Sequence, residues 1–82
     1  MLEVETTEYF EQIARIKHPE VTDEWVTRVL ANPYHTETQA DGRIRYYGFV
    51  DEENKWVRVI LEEGKLFNRF FDGRALRRWG RP

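Results

Sequence analysis

Arginine recurs in three β-prone stretches of this chain, Arg43-Ile44-Arg45-Tyr46-Tyr47, Trp56-Val57-Arg58 and Asn68-Arg69-Phe70. A planar guanidinium grips phosphate or carboxylate through two parallel hydrogen bonds, and an aromatic ring beside it offers a stacking surface for a base. Cleaving RNA without a metal needs a base for the 2′-hydroxyl, an acid for the leaving oxygen and cations for the charge developing at phosphorus. The chain holds candidates for each part. His35 and Glu37 are the candidate base and acid, Arg45 and Arg58 the candidate clamps, and His18 a further candidate catalytic group. Arg43, Tyr47, Arg69 and Asn68 complete the set as candidate ligand-binding residues. The competing reading is structural. Glu37–Arg45 and Arg43–Glu62 then become ordinary surface ion pairs, each worth about 0–1 kcal/mol, and Tyr47–Arg58 a stacking contact.

Other chemistries find less material. The two histidines stand 17 positions apart with no carboxylate at ligand spacing, so neither a metal nor another cofactor is expected. His18, directly before Pro19, also reads as a group bonding a terminal helix carbonyl. Cysteine is absent, which removes disulfides and thiolate chemistry and fits a reducing, cytoplasmic setting. Glycine-rich phosphate loops and nucleophilic triads are absent as well. No stretch is apolar enough to suggest a signal segment or a membrane span, so no membrane partner is expected.

The elements that must position these residues can be read from capping and periodicity. Thr6 or Thr7 can cap a first helix over 7–17, where Tyr9, Ile13 and Ile16 follow helical spacing until Pro19 ends it. Thr22 caps a second helix over 22–31, with Val21 and Val26 at staple positions and Asn32-Pro33 as the stop. The punctuation then changes to hairpin chemistry. Strands are expected at 34–39, 43–50, 56–62 and 65–71, separated by Asp41-Gly42, Asp51-Glu52-Glu53-Asn54 and Glu63-Gly64. The tail from Arg74 to Pro82 is short and basic, either loosely helical or frayed.

Register converts the strands into a surface. A four-residue loop at 51–54 pairs Val50 with Lys55, so Gly48, Tyr46 and Ile44 meet Val57, Val59 and Leu61 on the face that suits the helices. Arg45, Tyr47 and Arg58 then lie on the other face. A three-residue loop at 40–42 sets Glu37 opposite Arg45 and His35 opposite Tyr47. A two-residue turn at Glu63-Gly64 sets Arg69 across from Arg58 and turns Leu66, Asn68 and Phe70 inward; a three-residue turn would send Arg69 inward instead. Charge is divided along the chain. Residues 1–42 carry nine acidic and three basic side chains and residues 43–82 six and ten, within a net charge of −2. Such polarity fits either a basic binding face or two halves that attract one another.

The run Tyr9-Phe10…Lys17-His18-Pro19…Asn32-Pro33, followed by Gly42-Arg43-Ile44-Arg45-Tyr46-Tyr47-Gly48, Val57–Leu61 and Asn68–Asp72, resembles a group of small prokaryotic domains common in cyanobacteria. These in turn resemble the RelE/BrnT side of the barnase–EndoU–colicin–RelE toxins. The resemblance covers about 9–72. It implies helices on one face of an antiparallel sheet, RNA-cleaving residues on the other, and His18, Arg45, Arg58 and the region of Asn68 as the positions that matter. It also implies an antitoxin-like protein partner. The resulting expectation is a single α+β domain over 1–82, with two N-terminal helices packed on one face of a four-stranded antiparallel β-meander. Its expected activity is metal-independent RNA cleavage or RNA binding. The alternative is a non-catalytic interaction module that holds an acidic protein or nucleic acid through the same face or the basic tail.

Overall fold

A computed structural model describes residues 2–82. Helix α1 has two pieces, a π-helical segment Phe10–Ala14 and an α-helical turn Arg15–Lys17; α2 spans Asp23–Ala31. The strands are β1 (His35–Thr38), β2 (Ile44–Val50), β3 (Lys55–Glu62) and β4 (Lys65–Phe71), and a third helix, α3, spans Gly73–Trp79. The sheet is antiparallel with spatial order β1-β2-β3-β4.

The helix starts follow the capping chemistry. Thr7 Oγ1 accepts the Phe10 amide at 3.0 Å, and Thr22 Oγ1 accepts the Trp25 amide at 3.2 Å. Val21 and Val26 are both buried, as a hydrophobic staple requires. The inward face of α1 differs from its helical spacing. Phe10 and Ala14 are buried, whereas Tyr9, Ile13 and Ile16 are exposed. Phe10 and Ala14 share the inward side, and between them the Arg15 amide reaches back five residues to the Phe10 carbonyl, which widens the turn.

Two hairpins have the anticipated registers, Glu37↔Arg45 and His35↔Tyr47 in the first, Tyr47↔Arg58 and Gly48↔Val57 in the second. Gly48 lies under α2. A Cβ added there would come within 2.7 Å of Val29 Cγ2 and 3.3 Å of Val29 Cβ, a β-branched side chain with little room to turn. Gly48→Ala is therefore expected to cost about 1–3 kcal/mol in urea unfolding. Val29→Ala in the same chain should recover part of that loss.

The third hairpin departs from its expected register. Leu61 pairs with Leu66, but Ile60 pairs with Asn68, so a bulge leaves Phe67 as the extra residue. Beyond it every side chain changes face. Arg69 opposes Val59 and turns toward α1 and α2, while Phe70 opposes Arg58 on the other side.

The expected architecture of two N-terminal helices on one face is corrected by α3. The main core joins Phe10, Ala14, Val21, Val26 and Val29 to Val50, Val57, Val59 and Leu66. A second cluster forms on the opposite face, where Ala75 and Trp79 of α3 pack on Tyr47, Trp56 and Phe49. The tail is a capped helix, not a frayed end. Asp72 Oδ1 accepts the Arg74 amide at 2.9 Å, and the Gly80 amide closes the other end on the Leu76 carbonyl at 2.8 Å. Among the described residues, no helix is long and apolar enough to cross a membrane.

Candidate functional site

Strand alternation brings His35, Glu37, Arg45, Tyr47 and Arg58 onto one face of the sheet, the face that α3 covers. Glu37 is its electrostatic centre. One carboxylate oxygen accepts from Arg45 and from the Tyr47 hydroxyl, each at 3.3 Å. The other accepts from Arg78 of α3 at 2.8 Å and lies 3.3 Å from His35 Nε2. The Arg78 guanidinium foremost holds the Glu37 carboxyl down at about 2, with help from His35 and Tyr47. A carboxylate in that state has little basicity and carries no proton to donate near neutral pH.

The same linkage gives a pH dependence. Because folding lowers this pKa from an ordinary 4.5 to about 2, its stabilisation is complete above the higher value and is lost as pH falls toward the lower one. Glu37→Gln is expected to lose about 1–2 kcal/mol at pH 7. The gap between variant and wild type in urea unfolding should narrow steadily below pH 4.5.

The remaining guanidiniums of this face are also engaged. Arg58 donates through Nε at 2.9 Å and Nη2 at 2.6 Å to Asp72 Oδ2, an ion pair with side chains only 13% and 5% exposed. Its guanidinium lies over both Tyr47 and Phe70. Arg43, at the far end of the sheet, bonds Glu62 and Asp41 at 2.8 Å each and covers the Phe67 ring at 3.8 Å. Arg45 adds a bond from Nε to Gln39 Oε1 at 2.9 Å. Each of these three cations thus has an internal acidic neighbour, and none stands opposite another arginine across the strands.

Of three other expected site residues, Arg69 leaves this face, His18 meets it only at Phe70, and Asn68 lies on it opposite Ile60. Arg69 is buried beneath α1; its Nη1 donates to the Ala14 carbonyl at 3.1 Å and its guanidinium sits over the Phe10 ring. Burial, with Arg15 nearby, lowers its pKa. His18 follows the last turn of α1 and faces Phe70 and Glu20 across the β4 edge. Asn68 Oδ1 accepts the amide of Arg69 at 2.8 Å, a local bond at the bulged strand.

Packing of α3 on the sheet gathers aromatic rings that the strand pattern did not bring together. Tyr34, Trp56 and Trp79 pack edge to face, and Trp79 also meets His35 and Tyr47 with ring centroids 5.0 and 4.9 Å apart. The signal for α3 was present: Asp72 at an N-cap, then Ala75 and Trp79 four apart with arginines on the other positions. Those arginines form a basic surface with Arg81. Arg74, Arg77 and Arg81 are exposed, and among the described residues no carboxylate lies at salt-bridge distance from them. Beside them a crevice of about 210 Å³ is lined by Asn54, Lys55, Trp56, Phe71, Gly73, Leu76 and Asp72, the last already paired with Arg58.

Among the described residues no group of three or more metal-ligating side chains converges. Comparison with protein-family models, with curated proteins and with solved structures gave no match, so the likeness to RelE/BrnT-type toxins rests on the residue pattern alone.

Proposed function

We propose that the protein is a non-catalytic interaction module that binds an acidic protein segment through the outer face of α3. The observation that carries this reading is a division of labour among the arginines. Arg43, Arg45, Arg58 and Arg78 spend their charge on internal carboxylates. Arg74 and Arg77 of α3 are exposed without a carboxylate partner among the described residues, as is Arg81 beyond the helix, whose Nε donates to Asn54 Oδ1 at 2.9 Å. Arg74 and Arg77 stand at i and i+3, so they share one side of α3 while Ala75 and Trp79 face the sheet. Lys55 and the exposed Leu76 border the adjoining crevice, which suits an apolar side chain carried by an acidic partner. A nucleic acid is less well served. The chain bears a net charge of −2, and the positive surface extends over a single short helix.

The test uses a glutamate-rich decapeptide containing one leucine, followed by fluorescence anisotropy, beside an RNA oligonucleotide of similar charge. Binding of the peptide should weaken with salt and drop roughly tenfold in the Arg74→Ala/Arg77→Ala variant, since each rim cation contributes about 0.2–1 kcal/mol. The RNA should remain intact. Metal-independent RNA cleavage that disappears in His35→Ala would overturn the proposal and establish the toxin-type reading in its place.

A further inference from the structure

Arg69 is 3% exposed, yet among the described residues no carboxylate stands at salt-bridge distance from it. Asp23 and Glu20 act on its charge only from a distance, Asp23 lying 3.9 Å from Arg15 and Glu20 3.5 Å from His18. Its hydrogen bonds are equally incomplete. Nη1 donates to the Ala14 carbonyl at 3.1 Å, an oxygen that also accepts the His18 amide at 3.1 Å. The enclosed Nε has no partner among the described residues, and the Phe10 ring lies 4.9 Å from the guanidinium carbon. A cation withdrawn from water without a counter-charge is strongly destabilising, and one neutral carbonyl with one ring face offsets only part of that.

The element that encloses Arg69 is α1, and it is lightly held. Phe10 and Ala14 are its buried side chains, and the turn Arg15–Lys17 contributes none. Side-chain bonds from Gln12 to Glu8 and from Arg15 to Glu11 stay within the segment and do not tie it to the sheet. Its two ends are fixed. The Thr7 amide donates to the Leu66 carbonyl at 3.0 Å, and Val21, 1% exposed, belongs to the main core. A segment pinned at both ends, with few buried contacts between and an uncompensated charge beneath, has the features of a unit that opens by itself.

We infer that α1 is a lid, hinged near Thr7 and Val21, that opens while the sheet, α2 and α3 stay folded, and that the unpaired charge of Arg69 sets how readily it opens. Opening returns the guanidinium to water and uncovers Phe10. The lid lies across the sheet from α3, so lid opening and peptide binding can fail separately. Native-state hydrogen exchange followed by nuclear magnetic resonance tests the inference. The Arg15 and His18 amides, bonded to the Phe10 and Ala14 carbonyls, should report one shared opening. They should exchange roughly a hundredfold faster than the amides of β3. Arg69→Met keeps the bulk and removes the charge, so it should stay folded and slow both α1 amides roughly tenfold. Protection of Arg15 and His18 equal to that of β3 overturns the inference, since α1 then opens only with the whole chain. So does an Arg69→Met protein that fails to fold, or whose α1 amides exchange as fast as in the wild type. In either case the bond from Arg69 to Ala14 holds the helix down more than the charge loosens it.

Discussion

Asp72→Ala is expected to cost about 3–5 kcal/mol and to release α3 from the sheet. The carboxylate has two structural jobs. Its Oδ2 neutralises Arg58 through two short bonds, and its Oδ1 caps the first turn of α3. Removing it leaves the Arg58 guanidinium, 13% exposed, without its counter-charge between the rings of Tyr47 and Phe70. It also withdraws an N-cap worth about 1 kcal/mol. The main penalty comes from the unpaired cation, so Arg58→Met in the same chain should recover a substantial part of the loss. Urea unfolding measures the cost, and near-ultraviolet circular dichroism of the tryptophans reports whether Trp79 has left its place.

Trp56→Ala should be comparably severe, about 3–5 kcal/mol. Trp56 is 2% exposed and is the largest of the fully buried side chains, with Tyr34, Phe49 and Trp79 packed edgewise around it. Its indole nitrogen donates to the Gly80 carbonyl at 2.7 Å, tying the end of α3 to β3. Trp56→Phe separates the two contributions. It keeps most of the packing and forfeits that one bond, so a loss of about 1 kcal/mol is expected from the missing bond. Guanidinium unfolding of the two variants side by side would distinguish packing from anchoring.

These expectations depend on α3, the element that the chain's pattern least plainly announced. Hairpin loops are short and their chemistry is local, so the pairing of β1 with β2 and of β2 with β3 was legible from Gly42 and from the four residues 51–54. The β4 register was not legible. A bulge inserts one residue without a sequence signature beyond Leu66-Phe67-Asn68, and that single insertion exchanged Arg69 for Phe70 on the arginine face. Helix α1 forms where its spacing placed it, but the spacing did not show which side faces inward. Tyr9, Ile13 and Ile16 fit a 3.6-residue period, but Phe10 and Ala14 fit it equally well one step on, and the second set is the one inside. Periodicity alone does not choose between two overlapping apolar sets.

The candidate site was half legible for the same reasons. Cross-strand neighbours such as Glu37 and Arg45 follow directly from turn length, and they do meet. The partners that decide the site's electrostatics come from far along the chain. Arg78 reaches Glu37 across 41 positions and Asp72 reaches Arg58 across 14, each through the packing of α3 on the sheet. Once both are in place the arginine face is internally neutralised, and the free positive charge lies on the outer side of the third helix.

That partition is the central claim, and nuclear magnetic resonance of the arginine Nε–Hε groups tests it most directly. During titration with the acidic peptide, the signals of Arg74 and Arg77 should shift and saturate together, while those of Arg45 and Arg58 stay fixed on Glu37 and Asp72. Shifts at Arg45 and Arg58, with the α3 arginines unmoved, would contradict the account and return the binding site to the sheet.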